Sequence, residues 1–109
     1  MKVAIAVDQG MVSPHFGRCE GYLLANIREG QIVNQQSIPS PGHEPGRLPQ
    51  LMHELGVECL IVGGMGPRAQ QLLSELGIAV MSGVSGDVRE VLAQFAAGQL
   101  QEGENVCEH

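Results

Sequence analysis

Three stretches in the second half of the chain carry the same helical stripe, and a glycine closes each one. Apolar residues fall at Leu48, Leu51, Met52 and Leu55, at Ala69, Leu72, Leu73 and Leu76, and at Val88, Val91, Leu92 and Phe95. All three sets follow the i, i+3, i+4, i+7 spacing of a helix that buries one face. Gly56, Gly77 and Gly98 stand where a left-handed residue ends a helix. The first two helices also repeat in sequence: Leu51-Met52-His53-Glu54-Leu55-Gly56-Val57 aligns with Leu72-Leu73-Ser74-Glu75-Leu76-Gly77-Ile78 at a spacing of 21. Pro67 suits the first turn of the second helix, and Asp87 with Glu90 has the form of a capping box for the third. Strand-like runs over residues 58–62 and 78–81 separate the helices. A strand–helix–strand unit of this kind requires a parallel pair and a right-handed crossover.

The first half is extended. Residues 3–7 form a short continuous apolar run, as in a strand buried on both faces, stopped by Asp8-Gln9-Gly10. Residues 21–28 and 31–38 read as a hairpin about Glu29-Gly30, its second arm an edge strand. Three prolines then exclude regular structure from residues 39–45. The predicted order is β-β-β-α-β-α-β-α, an α/β fold with a mixed five-stranded sheet. Its first and fourth strands are the most uninterrupted apolar runs, so they are expected side by side at the centre.

Length and charge narrow the function. The 109 residues make one domain, and with aromatics at 3% the core must be aliphatic. The net charge of −6 and the lack of tryptophan argue against nucleic-acid binding, which calls for clustered Lys and Arg or stacking aromatics. Glu102, Glu104 and Glu108 lie in the last eleven residues with no base among them. The expected division is a domain over residues 1–100 and a flexible acidic tail over 101–109. Cys19, Cys59 and Cys107 form no C-x-x-C pair, which removes zinc-ribbon and thioredoxin readings. A start too brief for a membrane or signal segment, together with unpaired thiols, predicts a cytoplasmic protein without a membrane partner.

Two segments hold the candidate chemistry. Residues 63–68, Gly63-Gly64-Met65-Gly66-Pro67-Arg68, present glycine backbone at a helix start beside an arginine, a ready anion site. They lack the Lys-Ser/Thr of a phosphate-binding loop and the dinucleotide glycine spacing, and a plain strand-to-helix turn with a solvated Arg68 is the alternative. Residues 13–19, Ser13-Pro14-His15-Phe16-Gly17-Arg18-Cys19, bring imidazole and thiol together, soft ligands suited to transition metals and metal–sulfur species. The alternative makes His15 a turn residue and Cys19 a small hydrophobe. If the first and fourth strands are parallel neighbours, both segments and the glycines near Gly83 flank one crevice beyond the strands' carboxyl ends. Cys59 reads as inert core, His53 as solvent-facing, and His43 as part of a loop able to fold over the crevice. Cys107 and His109 form a C-x-H pair in the tail, read either as accessory metal ligands or as ordinary tail composition. No Ser–His–carboxylate or paired-carboxylate set suggests catalysis. A rival function is an enzyme or sensor binding a small anion or phosphorylated metabolite in the same glycine-lined crevice.

The chain resembles the dinitrogenase iron-molybdenum cofactor biosynthesis family from Met1 to about Leu100. The resemblance rests on Ser13-Pro14-His15-Phe16-Gly17-Arg18, the approach from Gly42 to Pro49, Ile61-Val62-Gly63-Gly64-Met65-Gly66-Pro67-Arg68-Ala69, and Gly77-Ile78 leading to Gly83. It implies a three-layer α/β/α, ribonuclease H-like fold. It also implies a non-enzymatic role: binding, storing or delivering a metal–sulfur cluster such as an iron-molybdenum cofactor precursor, with a cofactor-assembly or cluster-acceptor protein as partner. Ser13, His15, Phe16, Gly17, Arg18, Gly63, Gly64, Met65, Gly66 and Arg68 become the candidate cargo-binding residues. His15 is the leading metal ligand, and Cys19, Cys107 and His109 are the subsidiary ones.

Overall fold

Val3, Ala4, Ile5 and Ala6 are all wholly buried, which a strand achieves only where both sheet faces are covered. A computed structural model describes residues 1–40 and 47–101 of the chain. In it β1 (Lys2–Asp8) lies at the middle of a six-stranded mixed sheet. β2 (Met11–Val12), β3 (Gly21–Arg28) and β4 (Gln31–Pro39) follow, then α1 (Arg47–Glu54), β5 (Cys59–Ile61), α2 (Pro67–Glu75), β6 (Ala79–Met81) and α3 (Val88–Ala96). The sheet order is β4-β3-β1-β5-β6, with β2 paired to β1 alone. As expected, the first strand and the one after the first helix are parallel neighbours, Ala4 opposite Leu60.

The sixth strand is an addition to the predicted five. Gln9 and Gly10 both take positive φ (51° and 80°), so the chain turns in two residues and β2 pairs back antiparallel, Asp8 opposite Met11. Positive φ at both central residues is the hairpin geometry whose twist matches the strands. Glu29 and Gly30 repeat it between β3 and β4 at φ 54° and 76°. β4 is an edge strand, exposed along nearly its whole length.

Alternation along β1 divides the core. Ala4 and Ala6 join Leu48, Met52, Leu60 and Leu73 beneath α1 and α2. Val3 and Ile5 join Ile61, Val88, Val91 and Leu92 beneath α3. The layers are therefore α/β/α, as the resemblance implied. The 21-residue repeat is physical: all three helices end in the same cap. Gly56, Gly77 and Gly98 donate to His53, Ser74 and Phe95 carbonyls, and Val57, Ile78 and Gln99 donate to Met52, Leu73 and Gln94. Those paired bonds with a left-handed glycine are a Schellman motif.

Asp87 caps α3, its carboxylate accepting from the Arg89 and Glu90 amides. Asp87→Ala is expected to cost about 1 kcal/mol and to lower the melting temperature by about 4–8 °C, read by thermal denaturation. No described helix is long and apolar enough to cross a membrane. The tail expected over 101–109 lies, beyond Gln101, outside the described residues, as does His43.

Candidate functional site

The carboxyl ends of β1, β5 and β6 lie on one sheet edge, and backbone hydrogen bonds lace the loops that leave them. Gly63 N–H donates to the Ser13 carbonyl (2.8 Å) and Phe16 N–H to the Gly64 carbonyl (3.0 Å). Gly83 N–H donates to the Gly63 carbonyl (2.9 Å), and Val12 N–H to the Gly86 carbonyl (2.9 Å). All three glycine-bearing segments therefore meet on that edge. The approach depends on glycine at position 63: a Cβ there would stand 2.8 Å from Pro14 Cα and 3.0 Å from the Ser13 oxygen.

Ser13 holds the first loop from inside. It is the buried polar residue among the described ones, and its hydroxyl donates to Asp8 Oδ2 at 2.7 Å while accepting from His15 N–H at 3.1 Å. Asp8 Oδ1 accepts from Glu20 N–H at 2.8 Å, so one carboxylate pins both ends of the loop. This role for Asp8 escaped the sequence reading; an acid at a strand end with a serine five residues on was the available signal.

Tyr22, buried, supports the loop from below. Its ring meets Phe16 edge-on at 5.9 Å between centroids, and its hydroxyl accepts from Gly17 N–H at 3.3 Å. Burial first, and then a hydrogen bond and charge interaction with Cys19, push its phenol well above the ordinary tyrosine range. A phenol neutral in the fold but ionisable when unfolded keeps its full contribution below the unfolded value. That contribution is lost as pH rises above it. Since Tyr22 is the single tyrosine, phenolate absorbance reports this site alone. It is expected to stay absent through pH 10 in the folded protein and to appear only with alkaline unfolding; an ordinary titration in folded protein would contradict the burial argument.

The predicted site residues thus divide by placement. His15, Arg18 and Arg68 are exposed on the rim. Phe16 and Cys19 are partly buried and pack against the core beneath α1 and α2. Met65 is buried in that same core, 1% exposed, so only its backbone faces the edge segments. Cys59 is buried beneath α3 and His53 is exposed, both as expected. Cys107 and His109 lie outside the described residues. Among the described residues no group of three His, Cys, Asp or Glu side chains is placed to hold a metal ion.

Donors for an anion are present. Gly66 caps α2 with no side-chain hydrogen bond, and the first bond within the helix is from Gln70 N–H to the Gly66 carbonyl. The amides of Arg68 and Ala69 are thus first-turn donors without a helical acceptor. Among the described residues the Gly64 and Gly66 amides have no acceptor either. The helix dipole adds positive potential at this end.

The amide-rich, arginine-flanked edge of this α/β/α domain lies beyond the carboxyl ends of its parallel strands, the position where open α/β sheets place their ligands. The chain belongs to the dinitrogenase iron-molybdenum cofactor family, which it matches over residues 1–98; membership relates it to the biosynthesis of that cofactor. An uncharacterised protein of Methanocaldococcus jannaschii, MJ0580, is 33% identical over 109 residues, covering 95% of this chain and 92% of the relative. The crystal structure of PH0822 superposes with a TM-score of 0.87 at 31% identity over 94% of each chain. An NMR structure from Thermotoga, TM1290, provisionally named a NifB protein, superposes with a TM-score of 0.73 at 28% identity, covering 93% of this chain and 91% of that one.

Proposed function

We propose that the protein binds and carries, or stores, an anionic metal–sulfur cluster, an iron-molybdenum cofactor precursor or a related species, without chemical turnover. One observation carries the reading: the Ser13-to-Phe16 loop is laced to residues 63–64 on the edge where, among the described residues, the Gly64 and Gly66 amides have no acceptor. In this arrangement the amides of Gly64, Gly66, Arg68 and Ala69 receive cluster sulfides. The guanidinium groups of Arg18 and Arg68 balance the negative charge. His15 supplies a neutral imidazole lone pair to a cluster metal, and Cys19 is a second, half-buried candidate. Ser13, Phe16, Gly17, Gly63 and Met65 hold the rim in shape. Family membership supports the cargo class. A carrier of this kind exchanges its cluster with an assembly or acceptor protein.

Anaerobic titration with ferrous iron and tetrathiomolybdate, followed by optical spectra and metal analysis after gel filtration, tests the reading. Stoichiometric retention of molybdenum and iron is expected. Failure of both thiomolybdate and mixed iron–molybdenum–sulfide species to stay with the protein would refute it.

A further inference from the structure

We propose that β4 pairs antiparallel with β4 of a second copy of this chain, joining the two sheets across a two-fold axis. The inference stands apart from the cargo reading and starts from the outer strand of the sheet. Every residue of β4 except Ile38 is exposed. Edge strands usually turn other chains away with charged side chains, lysine above all, yet residues 30–42 carry no charged side chain. The strand instead shows Ile32 and Val33 to solvent, 36% and 47% exposed. The ladder fixes which of its backbone groups are free. Ser40 N–H donates to the Glu20 carbonyl, one step beyond the Gly21–Pro39 pair. Opposite pairs in an antiparallel ladder alternate between bonded and non-bonded. Tyr22–Ile38, Leu24–Gln36 and Asn26–Asn34 are therefore the bonded pairs, and Gln35, Ser37 and Pro39 turn their backbone groups outward. No described strand lies beyond β4 to receive them.

Two copies of this pattern fit each other. With Gln36 on the axis, Gln35 faces Ser37 of the second copy, and the two exchange both N–H···O bonds; symmetry repeats the exchange on the other side of the axis. In the same register Pro39, which has no N–H to offer, faces Val33 of the second copy. The β3–β4 ladder passes over Val33 as a bulge, Asn26 pairing with Asn34 and Ile27 with Ile32. The position without a donor thus meets the position where the strand leaves regular pairing. Charge selects a second copy as the occupant. The chain carries a net −6, so like copies repel wherever their charged faces meet, and an uncharged strip is where contact costs least. A strongly acidic or basic partner would find no counter-charge on it. Pro39 lies opposite Gly21, and Gly21 opposite Val7 near the carboxyl end of β1. Antiparallel pairing therefore points the two cargo edges in opposite directions and covers neither.

Light scattering after gel filtration tests the pairing on the cargo-free, full-length protein in reductant. As concentration rises, the mass is expected to move from 11.6 kDa toward twice that value. Ser37→Pro removes an outward donor from each copy, half of the interchain bonds, and leaves the inner ladder intact. It is expected to weaken self-association about a hundredfold, with an unchanged melting temperature in dilute solution. Gln36→Cys reads the register. Its Cα would lie about 4.5 Å from its own copy across the axis, within disulfide reach. In a glutathione redox buffer it is expected to link two copies through position 36, identified by mass spectrometry, whereas Ile32→Cys, exposed on the same strand but off the axis, should give no link through position 32. A mass of 11.6 kDa at every soluble concentration overturns the proposal. So does a dimer that Ser37→Pro leaves equally tight and that forms no link at position 36, since its contact must then lie elsewhere.

Discussion

Gly63→Ala is expected to destabilise the protein by about 2–4 kcal/mol, the sum of overpacking against rigid neighbours and one weakened buried hydrogen bond. The new methyl group would meet the Pro14 Cα and Ser13 carbonyl, both backbone, and neither has a rotamer to swing aside. The same Ser13 carbonyl accepts from Gly63 N–H at 2.8 Å, so relief of the clash must stretch that bond and part the two loops. The expected result is a lower melting temperature together with fast exchange of the amides at position 63 and at Phe16. Gly77→Ala is the control. Its Cβ would meet nothing within 4 Å, but its φ of 78° makes a left-handed alanine, at about 1–2 kcal/mol. That variant should lose stability and keep the rim amides protected. Equal protection at Phe16 in both variants would show that residue 63 does not set the spacing of the loops.

The contrast between those glycines also marks what the sequence alone could deliver. Gly77 was legible because its cause is local: an apolar stripe ends beside it, and the same pattern recurs 21 residues away at Gly56. The β3–β4 hairpin and the central pairing of β1 with β5 were legible for the same kind of reason, a turn dipeptide and two unbroken apolar runs. β2 was not, since two residues have no periodicity and its turn at Gln9-Gly10 shows only in the positive φ values. The need for glycine at 63 depends on Pro14, which the fold brings from 49 positions away. Asp8 is similar: Ser13 and Glu20 reach its carboxylate only after the loop has closed. Met65 sits among glycines and an arginine, which drew it into the rim. Its apolar side chain belongs beneath α1 and α2 with Leu73. Local rules thus gave the scaffold, and long-range contacts decide which side chains of the two segments face solvent.

Replacing both Arg18 and Arg68 by alanine is expected to weaken cluster binding about a hundredfold while leaving the fold intact. Both side chains are exposed, so their removal leaves no cavity and no buried charge. Each charge-assisted hydrogen bond to an anionic sulfide contributes about 1.5–3 kcal/mol before solvent screening. Two screened contacts of that kind together correspond to about 2.7 kcal/mol, or two decades in affinity. The wild-type affinity should fall with added salt, and that of the double variant should fall less, because fewer charges remain to be screened. His15→Ala separates the metal–sulfur reading from the rival one of a phosphorylated small molecule. Amides and guanidinium groups bind either anion, whereas an imidazole lone pair is needed only where the ligand carries a metal. His15→Ala should therefore lose iron–thiomolybdate at least tenfold more readily than wild type. Inorganic phosphate, which carries no metal for the imidazole, should protect wild type and His15→Ala equally and only weakly in a thermal-shift assay. Phosphate protection equal in wild type and His15→Ala, with no retention of iron or molybdenum in either, would turn the assignment to a phosphate-bearing ligand held by the same amides.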